Sequence, residues 1–324
     1  MIQVFLIGIG AGAATALLFA SVASGSPLSV LLFYLAPLPI LLAALGWSHW
    51  AGLIAALFAS AGLAAVFSSY FFLAFLIGVA LPAWWLGDLA LLARPVEGAP
   101  DGLEWYPVGH LVVWAAILGA SVVIAGMLHF GTDEESFRAT LRNFLERMLR
   151  GGRTATPPVE LPKGAESGRL IDFLVVALPP TAAVVTTITN LLNLWLASRI
   201  ARISGRLRRP ASDLATMQFP AYAPALIAVA VAASFVPGLI GSFGTVFTAS
   251  LLMAYAILGL AVMHAITRGM ASRPFALGGL YAVVLFFGWP VLLLSMLGLA
   301  DTAFNIRGRV AGRRGSPPPA NPPI

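Results

Sequence analysis

Cysteine is absent from the 324 residues, which removes disulfides, thiolate nucleophiles, cysteine zinc sites and iron–sulfur clusters at once. Charge is scarce too. Only 10% of residues are charged, against roughly 25% in a soluble domain. No Walker A motif occurs, so an ATP-driven step would have to come from another chain. There is no His-Glu-x-x-His and no acidic motif suited to magnesium and diphosphate. His110 and His129 lie near opposite ends of one apolar run, too far apart at helical rise to share a metal. Ser242 and His264 are the only nucleophile–base candidates in adjoining runs, and antiparallel helices place them near opposite ends. The expectation is a protein that is not an enzyme, with no cofactor and no metal.

What the chain has is hydrocarbon. Hydrophobic residues make up 59% of it, far more than a water-soluble globule can bury, so its first partner is the lipid bilayer. Nineteen basic residues against thirteen acidic give +6. The excess sits in loops beside apolar runs, where it reports topology and anionic lipid rather than nucleic acid. The N-terminus has no basic region or clear cleavage site, so Gln3–Ala23 reads as a retained helix.

Nine apolar runs follow in order: Gln3–Ala23, Pro27–Leu45, Ala51–Phe67, Tyr70–Leu92, Pro107–Phe130, Leu170–Ser198, Ala221–Val236, Thr245–Ile266 and Phe275–Leu299. They predict an all-α, polytopic transmembrane bundle of eight or nine spans, with one amphipathic interfacial helix and no β-sheet. Residues 1–130 form an N-terminal transmembrane bundle and 170–300 a C-terminal one. Residues 131–169 hold the amphipathic helix and a proline-rich linker, and 301–324 a basic, proline-rich tail.

The polar middle is legible in detail. Thr132-Asp133-Glu134-Glu135 reads as a capping box, with Thr132 and Glu135 as the reciprocal pair. Phe137, Leu141, Phe144, Leu145, Met148 and Leu149 form one apolar stripe. Glu134–Arg138 and Glu146–Arg150 have the favourable i,i+4 order. Too charged to span, this helix is expected on the bilayer surface with its phenylalanines dipped in; the alternative is a lid across the mouth of the bundle. Thr154–Lys163 reads as a stiff extended linker.

Polar and helix-breaking residues inside the runs are the candidate sites. Pro37 and Pro39 must kink or break the second run and free backbone carbonyls, and Pro179-Pro180 should break the sixth. Thr186, Asn190 and Asn193 then share a face, the most polar one within the spans. Interhelical bonding competes there with contact to a ligand. Pro37, Pro39, Thr186, Asn190 and Asn193 are accordingly the speculative substrate-binding set, expected to wall one wet cavity. On the first helix Gly8, Gly12, Ala16 and Ala20 recur every fourth position, a face for close helix packing or for a partner. Asp88 is expected to pair with Arg94 at the interface.

The five arginines from Arg199 to Arg209 mark the cytoplasmic side. Counting back from them puts the N-terminus and Arg94 inside and the amphipathic helix outside. With nine spans the basic stretch after Asp301 would also lie outside, whereas eight would keep it inside.

Several short motifs carry a family resemblance. They are Pro37-Leu38-Pro39-Ile40, Phe219-Pro220, Leu258-Gly259-Leu260-Ala261-Val262, Leu297-Gly298-Leu299-Ala300-Asp301 and Phe304-Asn305-Ile306-Arg307. Over roughly Ile2 to Arg309 the chain resembles the YybS-like family of multispanning bacterial membrane proteins. That family is remotely similar to the substrate-binding components of energy-coupling-factor vitamin transporters. The resemblance implies the bacterial cytoplasmic (inner) membrane, small-solute binding or transport, and a membrane coupling partner met by Gly12, Ala16 and Ala20. It defines no solute-contacting residue. The other reading is a scaffold or assembly protein, a homo-oligomer among its forms, with no ligand.

Overall fold

The computed structural model of the chain describes residues 1–97, 102–151, 165–210 and 213–314. The linker expected at Thr154–Lys163 and the proline-rich end at Ser316–Ile324 lie outside them. Helix dominates because hydrocarbon offers backbone donors and acceptors no partner but each other. The helices are α1 (Ile2–Ala20), α2 (Pro27–Tyr34), α3 (Pro37–Gly46), α4 (His49–Val66), α5 (Ser69–Phe75), α6 (Leu81–Leu91) and α7 (Val108–Phe130). After them come the amphipathic α8 (Glu134–Gly151), α9 (Ala165–Ile203), α10 (Ala223–Ser234), α11 (Leu239–Ile266), α12 (Arg273–Phe287), α13 (Pro290–Phe304) and α14 (Ile306–Arg314). Seven helical stretches are long and apolar enough to cross a membrane. The chain is an all-α polytopic bundle.

Two local expectations are corrected. A small antiparallel ribbon, β1 (Ala93–Pro95) with β2 (Leu103–Trp105), stands where the sequence predicts no sheet. Arg94 pairs across that ribbon with Glu104 at 2.6 Å, not with Asp88, because strand pairing puts the two residues opposite each other. The second correction is at Pro179-Pro180. α9 runs through them unbroken for 39 residues, since two adjacent prolines remove only two bonds of the helical ladder. Pro37 does end a helix, separating α2 from α3.

Two irregular places decide the topology. Gly288, at φ 71°, divides the run Phe275–Leu299 into α12 and α13, of 15 residues each. At 1.5 Å per residue each reaches about 22 Å, short of a hydrocarbon core of roughly 30 Å. Arg268, just before α12, is paired with Asp213. Arg307, just after α13, donates to the carbonyls of Ala215 and Met217 at 2.9 and 2.7 Å. The hairpin therefore enters and leaves on one side. α10 is likewise short, at 12 residues, and the non-helical chain Met217–Pro220 completes its crossing. Counted as a crossing with the seven long spans among the described residues, α10 brings the total to eight, the smaller of the two counts. The basic stretch after Asp301 joins the arginine loop on one side. There Arg206 lies 4.3 Å over the Trp47 ring, and Arg209 donates to the Ala90 carbonyl at 3.2 Å.

Close approach between helices rests on small residues, because lipid supplies no hydrophobic drive between them. Gly8 and Gly12 of α1 lie against α4, where a Cβ on Gly12 would stand 2.7 Å from the Ala55 carbonyl oxygen. Ala16 and Ala20 pack on the same apolar cluster. Gly259 of α11 abuts the Leu294 carbonyl, and Gly298 of α13 the Tyr255 carbonyl.

Two outcomes follow. In the cysteine-free chain, single cysteines replacing Arg206 and Arg309 should react with an impermeant thiol reagent from the same side of the membrane; labelling from opposite sides would refute the eight-crossing count. Gly12→Leu should lower the unfolding midpoint in detergent by a cost of at least about 1–3 kcal/mol. Gly10→Leu, whose Cβ meets open space, should be near neutral, and equal tolerance of the two would remove the packing argument.

Candidate functional site

The proline break and the asparagines meet, but at one point. With no N–H at Pro37, and with Leu38 bonded to Leu35, the Tyr34 carbonyl is left without a helical donor. Asn193 supplies one: its side-chain amide donates at 2.8 Å to Tyr34 and at 2.8 Å to Thr189. Asn193 and Asn190 are both buried, at 0% and 4% exposure. Thr186 is half-buried and bonds only back to Ala182, at 2.8 Å. Its neighbour Thr187, not singled out by the sequence, shares a 2.8 Å bond to Ala183 and a 2.7 Å contact with Ser250, which donates to Ala116 at 2.7 Å. Periodicity alone could not choose between two adjacent threonines. The cavity described below has other walls.

At the end opposite the arginines, α8 covers the bundle. Phe137, Leu141 and Leu145 are buried with Met127, Ile171, Val175, Ala183 and Val246. This stripe rests on protein, as in the lid alternative, while α8 keeps the amphipathic character expected of an interfacial helix. The bundle's own apolar end needs a cover, and this face provides it. Phe144 and Met148, on the flank, stay exposed. The cap is corrected. α8 begins at Glu134, so Asp133 rather than Thr132 takes the N-cap, accepting from the Ser136 N–H at 2.8 Å and the Ser136 hydroxyl at 2.6 Å. These two bonds, the hydroxyl's first, hold the Asp133 carboxyl below its ordinary value.

Ion pairs tie α8 to itself and to α9. Glu134 and Arg138 meet at 2.5 Å, as their spacing predicts. Arg142 reaches Glu146 at 3.2 Å and Asp172 of α9 at 2.5 Å. The expected partner Arg150 has a side chain outside the described residues. Beneath the helix lies a cavity of about 360 Å³. Its walls include Glu134, Phe137 and Arg138 of α8, Val175, Val176, Pro179 and Pro180 of α9, Ser242 and Thr245 of α11, and Val236 and Pro237 of the turn before it. The prolines leave the carbonyls of Val175 and Val176 without helical donors. A cavity of this size is within the range that small ligands occupy.

The arginine-rich end is built differently. Met217–Pro220 is non-helical, and Met217 and Pro220 are buried. The Phe219 ring lies 5.1 Å from that of Tyr255, about three turns before the end of α11. Arg307 holds this segment by the Ala215 and Met217 carbonyls. The same guanidinium meets Asp301 at 2.7 and 2.9 Å, and the Arg307 N–H bonds the other carboxylate oxygen at 3.0 Å. Asp301 is 5% exposed. Sequence reasoning placed both residues at a tail; the signal available was their place in the family motifs. Nearby, the Arg268 guanidinium holds the Asp213 carboxyl below its ordinary value, so that pair persists until pH falls below the usual carboxylate range.

One family model, described as a predicted membrane protein (DUF2232), matches residues 13–302. The chain belongs to that family. No curated protein and no solved structure matches it. The DUF2232 match takes in the proline break, the asparagines, α8 with its cavity, and Asp301; Arg307 and Gly8 fall just outside.

The Asn193 bond makes a measurable claim about this DUF2232 protein. Asn193→Leu strands the Tyr34 carbonyl and should cost about 1–3 kcal/mol, read as a lower unfolding midpoint in detergent. Thr186→Val should change little. The reverse order would show that the break does not depend on Asn193.

Proposed function

We propose that this protein binds a small solute in the cavity beneath α8 and is not an enzyme. The observation that carries the reading is the cavity itself. It is bounded by a helix with two proline-freed carbonyls and by a helix tied to it through the Arg142–Asp172 ion pair. Arg138 and Glu134 offer one charge of each sign, and Ser242 and Thr245 bring hydroxyls, so a neutral or weakly charged polar solute suits the walls. The resemblance to the YybS-like family, and remotely to substrate-binding components of energy-coupling-factor transporters, supports capture at this end for transport. Under the positive-inside rule this end faces away from the cytoplasm, in a bacterial cytoplasmic membrane. A coupling membrane protein would supply the energy. It would need a surface other than Gly8 and Gly12, which α4 covers.

The set Pro37, Pro39, Thr186, Asn190 and Asn193 remains the second candidate for that solute. One observation favours it: the Asn190 amide nitrogen and the Asn193 amide oxygen have no hydrogen-bond partner among the described residues. The test is native mass spectrometry of the protein purified in nanodiscs, looking for a bound small molecule. Ser242→Phe, which fills the cavity, should reduce its occupancy at least tenfold, and Asn190→Leu with Asn193→Leu should leave it unchanged. The opposite result moves the site to the asparagines. Absence of any bound molecule in native and variant proteins favours the scaffold reading.

A further inference from the structure

We infer that the non-helical segment Met217–Pro220 is a gate at the arginine-rich end and that Arg307 is its latch. Backbone outside a helix is tolerated at membrane depth only where protein or a water-lined cavity satisfies it. Here the Met217 carbonyl, and that of Ala215 in the 3-10 turn Leu214–Thr216 just before the segment, are met by one guanidinium at 2.7 and 2.9 Å. That guanidinium is carried by a different element, α14, and is held in place by Asp301 of α13. Asn305, at φ 48°, turns the chain between those helices so that Arg307 faces back onto Asp301. Ionisable groups inside a membrane protein are costly and mark working parts.

Buried polar groups lie behind the segment. Tyr255, whose ring packs on Phe219, is 1% exposed, and its hydroxyl has no hydrogen-bond partner among the described residues. Nδ1 of His110 is unpartnered too, and the adjacent Gly109 abuts the Gln218 carbonyl. Buried polar groups without partners are penalised where they stand. Moving Met217–Pro220 aside would let water or a passing solute meet them. The closed state thus keeps a polar lining shut behind a segment held by one ionic latch. This gate stands apart from the cavity beneath α8 and does not depend on it.

The experiment uses the full chain with a single reporter, Ala254→Cys, a position 0% exposed in the cluster that includes Met217 and Ala223. An impermeant maleimide is applied from the arginine-rich side in inside-out vesicles. Arg307→Lys keeps a charge facing Asp301 but loses the separate nitrogens that meet Asp301 and the two carbonyls together, and should speed labelling at least about tenfold. Ala120→Cys, buried toward the other end, should stay protected in both backgrounds. Should the lysine variant fail to fold, the uncharged pair Asp301→Asn with Arg307→Gln is read in its place. Labelling that stays equally slow in a folded variant overturns the gate and leaves a fixed brace. Loss of monodispersity in both variants overturns it as well, because a gate must open without unfolding the chain.

Discussion

The Arg307 guanidinium, set between one buried carboxylate and two backbone carbonyls, is the contact on which the arginine-rich end depends. Without a donor for Ala215 and Met217, the chain before α10 would have to be helical or leave the membrane. α10 would then need the length of a full span, which its twelve residues do not give. The same need recurs elsewhere in neutral form. Asn193 serves the Tyr34 carbonyl, Ser250 that of Ala116, and Ser295 that of Leu252. Each serves one foreign carbonyl. Arg307 meets two carbonyls through Nη1 and a carboxylate through Nε and Nη2, a combination that needs several N–H groups in one rigid plane, as arginine presents them. Asp301 then offsets the charge that this choice brings into the protein.

The apolar runs were legible because in lipid the backbone has few alternatives, so hydropathy speaks almost directly of helices. The Pro37 break was legible for a related reason, and so was the demand it places on a polar neighbour. Asn193 could be named, but not the single bond it makes, since Thr186 and Thr187 differ only by one step of rotation about α9. Pro179 and Pro180 misled, because proline removes bonds without saying whether neighbouring helices will keep the path straight. α8 showed its apolar stripe, yet periodicity does not say whether lipid or protein covers it. Gly288 hid a reversal inside what reads as one run. Asp301 and Arg307 were hidden most thoroughly. Basic residues near a chain end read as solvated tail, and the carbonyls that claim Arg307 lie some ninety residues away in sequence.

The two ends of the bundle are closed by unlike means. At the α8 end the ion pairs are partly open to water: Arg138 and Glu134 are 53% and 33% exposed, Arg142 and Asp172 42% and 61%. Such pairs contribute about 0–1 kcal/mol each, and much of what holds α8 is the apolar contact of Phe137, Leu141 and Leu145. At the other end Arg307 and Asp301 are 14% and 4% exposed, and parting a buried pair of this kind costs about 3–5 kcal/mol. Lifting α8 exposes an amphipathic helix whose other face already meets water. Moving Met217–Pro220 strands a carboxylate and two carbonyls. Lifting α8 would also bare Phe137, Leu141 and Leu145, at about 1.5–3 kcal/mol each, so one end is held closed chiefly by apolar contact and the other by the bonds that Arg307 makes.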